Sequence, residues 1–84
     1  MKKYEIHVSY SWGDEEEPIE FEEANDTLAF MRMLEYAAKE INVCISDSHD
    51  DCIYTLTAIP YENKIILHYG YDDEECYYQL KTVG

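Results

Sequence analysis

Apolar and polar residues alternate strictly from Tyr4 to Trp12. Tyr4, Ile6, Val8, Tyr10 and Trp12 fall on one face, and Glu5, His7, Ser9 and Ser11 on the other, a period of two that predicts a half-buried strand. Gly13-Asp14 opens a turn, and Pro18 suits the first position of a following edge strand. There Ile19 and Phe21 oppose Glu20 and Glu22, so the two runs read as a hairpin. From Thr27 to Ile41 the pattern becomes helical. At about 100° per residue, Thr27, Phe30, Met31, Leu34, Ala37, Ala38 and Ile41 share one stripe, which predicts the core face. Asn25 or Asp26 is the candidate cap, since either accepts hydrogen bonds from free amides of a first turn. Leu28, Met33 and Tyr36 fall outside the stripe beside Arg32, Lys39 and Glu40.

Further on, Val43 to Ser46 reads as a short strand and residues 47–51 as a polar turn. Cys52 to Ile59, rich in Ile, Tyr and Thr, reads as a strand ended by Pro60. Residues 61–63 turn the chain into a strand from Lys64 to Tyr71. Asp72 to Glu75 is a second acidic turn, and Cys76 to Val83 reads as a last strand, with a short C-terminal helix as its alternative. The fold class is therefore α+β, in the order ββαβββ with room for a sixth strand. An antiparallel sheet of about five strands carries one long helix on one face. One helix cannot cover so many strands, which leaves the other sheet face to solvent or a partner.

Composition sharpens this picture. The 84 residues form a single domain, 1–84, with 46% hydrophobic residues and nine Tyr. That is too apolar and too aromatic for a disordered acidic tail. Nineteen acids against six Lys and Arg give a net charge of −13. Such an excess opposes direct binding to nucleic acid or to anionic membranes, whose ligands are basic. It favours a basic protein partner, with simple solubility as the plain alternative. No run approaches the roughly 20 apolar residues that span a bilayer. Cys44, Cys52 and Cys76 show no paired spacing, and Met1-Lys2-Lys3 leads into no apolar leader. A cytoplasmic chain with reduced thiols is expected.

Chemistry finds little purchase. The loop from Asp47 to Cys52 holds five potential ligands but lacks the glycine and distal glutamate of a calcium loop, and no Cys or His pair has zinc spacing. No nucleophile elbow, phosphate loop or zinc-protease helix is present. Neither a metal nor another cofactor is expected, and the chain does not read as an enzyme.

What remains is the run DEEEPIEFEE, with seven acids among residues 14–23 and no Lys or Arg between Lys3 and Arg32. Glu20 and Glu22 project as a row at about 6.5–7 Å spacing on one strand face. Glu15, Glu16 and Glu17 extend that row from the turn, and Asp72, Asp73, Glu74 and Glu75 form a second group. A dipole effect explains only the acids nearest the helix start. The rest imitate a regular line of phosphate charge. In size, charge and its acidic runs, the chain resembles the small acidic phage proteins that inhibit bacterial defence nucleases by imitating DNA, notably some anti-CRISPR proteins. The resemblance implies a non-enzymatic inhibitor in the host bacterial cytoplasm. Its partner would be a nuclease or CRISPR effector, with those nine acids standing in for phosphates. Two other readings stay open: an immunity-type protein that neutralises a toxin nuclease, and an acidic α+β domain that forms a homodimer.

Overall fold

Three residues of the alternating N-terminal run, Tyr4, Ile6 and Val8, are buried in the computed structural model, which describes residues 1–47, 54–69 and 74–83. They belong to strand β1 (Lys2–Tyr10). Strand β2 (Ile19–Glu23) returns antiparallel beside it, with Tyr4 opposite Phe21 and Ile6 opposite Ile19. Helix α1 (Asp26–Asp47) follows, then β3 (Tyr54–Ile59), a 3-10 turn (Pro60–Glu62), β4 (Lys64–Tyr69) and β5 (Glu74–Val83). The five strands form one antiparallel sheet in the order β2-β1-β5-β4-β3. The C-terminal element is thus a strand, not a helix, and it fills the centre of the sheet beside β1.

Alternation places Tyr4, Ile6 and Val8 of β1, Ile65 and Leu67 of β4, and Cys76, Tyr78 and Leu80 of β5 on the helix-facing side. Ala29, Met33 and Ala37 meet them from α1, and Phe21, Phe30, Leu34, Tyr36, Ile41 and Leu56 close the margins. Each fully buried large side chain contributes roughly 1.5–3 kcal/mol through removal from water.

The helix departs from its sequence reading in two ways. Its buried face carries Ala29 and Met33, while Met31, Thr27 and Ala38 are exposed. The face is rotated by about a fifth of a turn from the expected stripe. Arg32, Glu35, Lys39 and Asn42 line one exposed strip opposite Met33 and Ala37, so the polar residues mark the buried face more closely than the apolar stripe does. Small Ala29 and Ala37 permit close approach to the sheet, and the helix start fixes the rotation. There the Asn25 side chain accepts a 2.9 Å hydrogen bond from the Leu28 amide. The Tyr4 hydroxyl donates to Asp26 Oδ1 at 2.6 Å. The helix also runs through residues 43–46, where a strand was expected. Val43 and Ile45 favour strands locally, but no Gly or Pro interrupts the helix, and propagating it adds a hydrogen bond per residue without a new nucleus.

Candidate acidic binding surface

The acidic run lies where β1 turns into β2. After Tyr10 the chain reverses, with the Gly13 amide donating to the Tyr10 carbonyl at 3.0 Å and the Tyr10 amide to the Asp14 carbonyl at 2.9 Å. Gly13 sits at φ +100°, a conformation that costs glycine nothing. The Glu16 amide then donates to the Val8 carbonyl at 3.0 Å, and Ser9 bridges Glu15. Residues 14–16 therefore pair with the end of β1 instead of projecting as a free loop.

The register shifts between the two paired stretches. Ser9 opposes Glu15, yet Ile6 opposes Ile19, so three steps along β1 match four along the returning chain. The extra residue forms a bulge at Glu17-Pro18, a position where proline is tolerated because it donates no ladder bond. The bulge changes which acids share a face. Glu15, Glu20 and Glu22 lie on the open side of the sheet, across from Ser9, Glu5 and Lys3. Glu16 turns to the helix side, where its carboxylate accepts a 2.5 Å hydrogen bond from the Tyr10 hydroxyl. The Trp12 indole N–H donates to Asp14 at 2.9 Å, and the Tyr10 and Trp12 rings stack with centroids 4.6 Å apart. Burial, then the bond to Glu16, pushes the Tyr10 phenol well above the usual tyrosine range.

Of the second acidic group, Glu75 reaches this end of the sheet by a direct link. The Ser11 amide donates to the Glu75 carbonyl, and the Glu75 amide donates to the Ser11 hydroxyl oxygen, both at 2.9 Å. Glu75 falls on the open face opposite His68, whereas Glu74 falls opposite Tyr69 on the other side. Asp72 and Asp73 lie outside the described residues, as does most of the stretch from Asp47 to Cys52, which reads in sequence as a polar turn. Among the described residues no cluster of three or more His, Cys, Asp or Glu is placed to hold a metal ion. Nor is any helix among them long and apolar enough to cross a membrane.

No protein-family model, curated protein or solved structure matches the chain.

The surface is thus defined by its own charges. The described ion pairs are Lys2 with Asp26 and Arg32 with Glu23, and the His7 imidazole lies within hydrogen-bond distance of Glu5. They take up acids at the helix start and on β1, and Glu23 from the run, but none of the seven acids of interest among the described residues. The basic side chains follow a separate distribution. Lys3, Lys64 and Lys81 lie on the central strands of the open face, with Lys3 across from Glu22 and Lys81 across from Glu5. A shallow depression of about 450 Å³ opens there between Lys3, Tyr4, Glu20, Phe21, Glu22 and Val83.

The open face is accordingly mixed in sign, and the acids concentrate at the β2 margin and its adjoining turn. Sequence reading foresaw the run but not the division of its members between two faces. The aromatic clamp formed by Tyr10 and Trp12 was also missed. Its signal was the Tyr-x-Trp spacing just ahead of Asp14 and Glu16, and alternation had placed both rings on one face of a single strand.

Proposed function

We propose that the protein is a non-enzymatic inhibitor that presents its acidic margin to the basic nucleic-acid groove of a bacterial nuclease or CRISPR effector. The observation that carries this reading is the pairing of residues 14–16 with the end of β1, which holds consecutive carboxylates on ordered backbone. A line of charge held by a ladder loses less conformational entropy on binding than a free acidic loop would. Glu15, Glu20 and Glu22 supply one row, and Glu16 and Asp14 supply the side turned toward the helix. Glu75 is tied to the same end through Ser11.

Complementary charge steers association, so inhibition weakens as ionic strength rises. The test measures inhibition of DNA cleavage by a purified RNA-guided effector nuclease over a salt series. The native chain is compared with the triple variant Glu15→Gln, Glu20→Gln, Glu22→Gln. Inhibition that declines with salt and is lost in the variant supports the reading. Equal inhibition by both chains at every salt concentration overturns it.

A further inference from the structure

The two edges of the sheet are built in opposite ways. β2 (IEFEE) carries three glutamates and follows Pro18 and a bulge, devices that oppose pairing with another strand. β3 (YTLTAI) has no charge, proline or glycine and is composed largely of strand-favouring residues. Among the described residues nothing is paired beyond it. Thr55, Thr57 and Ala58 are exposed, and Leu56 is only partly buried at the margin of the core.

The backbone groups that β3 offers follow from the alternation of an antiparallel ladder. The Leu80 amide donates to the Asn63 carbonyl, so the odd residues of β4 bond toward β5. Lys64, Ile66 and His68 then bond toward β3, engaging Ile59, Thr57 and Thr55. The amides and carbonyls of Tyr54, Leu56 and Ala58 face outward. This set is symmetric about Leu56. A second β3 placed antiparallel, Leu56 against Leu56, sets Tyr54 of each copy opposite Ala58 of the other. Every outward group is satisfied, with about six hydrogen bonds between the chains. Thr55 of one copy then faces Thr57 of the other on the open side, a favourable cross-strand pair. The two Leu56 side chains meet on the helix side.

Charge admits this partner only in such an arrangement. At −13 per chain, a second copy is accepted only where the acids stay apart. Pairing through β3 makes one continuous sheet with both β2 strands outermost, nine strand spacings or about 43 Å apart. That distance is several times the Debye length of about 8 Å at physiological salt. We infer that β3 is a self-pairing edge, through which two copies form a two-fold dimer with an acidic margin at each end. The pairing stands independently of the reading of those margins; if both hold, the dimer is a bivalent inhibitor.

Sedimentation velocity on the full chain, from micromolar to millimolar concentration, tests this at low and high salt. Added salt is expected to strengthen the dimer, because it screens like charge, whereas it weakens capture of a basic partner. Ala58→Pro removes an outward amide that β4 does not use, and Thr57→Glu adds an acid to the pairing edge. Each is expected to weaken the dimer about tenfold or more. Circular dichroism on each variant verifies that the monomer is folded. As a readout without substitution, amide exchange at Leu56 and Ala58 should slow as protein concentration rises. A chain that stays monomeric throughout, a dimer indifferent to both folded variants, or exchange independent of concentration overturns the proposal. None of these outcomes bears on nuclease inhibition.

Discussion

Ser11 and Glu75, far apart in sequence, hold one another through two 2.9 Å hydrogen bonds. One is an ordinary ladder bond, and in the other the serine hydroxyl takes the place of a backbone carbonyl as β1 leaves the sheet. The side chain thus ties the acidic turn to the start of β5. Ser11→Ala leaves the Glu75 amide to water at this exposed position. The expected cost is about 0.5–1.5 kcal/mol, seen as a lower urea midpoint at constant slope. Exchange of the Glu75 amide should also accelerate. Unaltered exchange in the variant would show that the hydroxyl is not the tether.

Met33 and Met31 offer a direct test of the helix rotation. Met33 is 0% exposed and Met31 is 53% exposed. Met33→Ala is expected to cost about 2–5 kcal/mol, a large part of the stability of so small a domain. Met31→Ala should stay within about 0.5 kcal/mol. Chemical denaturation of the two variants decides between the observed face and the stripe read from periodicity, which ranks them in reverse.

The bond from Tyr4 to Asp26 makes stability depend on pH at both extremes. Burial first, and the Asp26 bond second, raise the Tyr4 pKa to about 12. The Tyr4 bond first, and the Lys2 charge second, hold Asp26 below the usual carboxylate value. A raised tyrosine pKa means that the folded state keeps the proton longer. Its contribution is complete below the unfolded value of about 10 and is lost as pH rises toward 12. A depressed aspartate contributes above the unfolded value of about 3.9 and is lost as pH falls below it. Tyr4→Phe should therefore flatten the alkaline limb of a stability–pH profile, and Asp26→Asn the acid limb. Unchanged slopes on both limbs would remove the pair as a source of the dependence.

The chain order ββαβββ was readable because β1 alternates cleanly and polar turns bound the later strands, whereas the sheet order, with β5 between β1 and β4, was not. The turn at Asn63 and the stop at Pro60 were equally local signals. The helix face was misread because Met31 and Ala38 are apolar yet exposed, although the exposed strip of Arg32, Glu35 and Lys39 lies opposite the buried Met33 and Ala37. The bond from Tyr4 to Asp26 adds a contact between elements that spacing along the chain does not encode. The same holds at the acidic margin. Its charge was plain in the sequence, but which of Glu15 and Glu16 shares a face with Glu20 and Glu22 depends on a bulge that adds one residue to the returning chain before β2. Trp12 continued the alternation of β1 in sequence, yet the reversal at Gly13 carried it out of the sheet.

That reversal leaves Trp12, the single tryptophan, as a reporter of the acidic turn. The residue is 50% exposed and its ring stacks on Tyr10, whose hydroxyl is held by Glu16. Tyr10→Phe keeps the stack but releases the Glu16 carboxylate. The indole should then become more accessible, so acrylamide should quench its fluorescence more strongly. Trp12→Ala removes the stack itself and is expected to cost about 0.5–1.5 kcal/mol. In both variants the carboxylates keep their number and lose part of their fixed arrangement. If order matters to the proposed inhibition, Tyr10→Phe should weaken it at unchanged net charge. A variant with native quenching and native potency would mean that the clamp neither orders the turn nor serves binding.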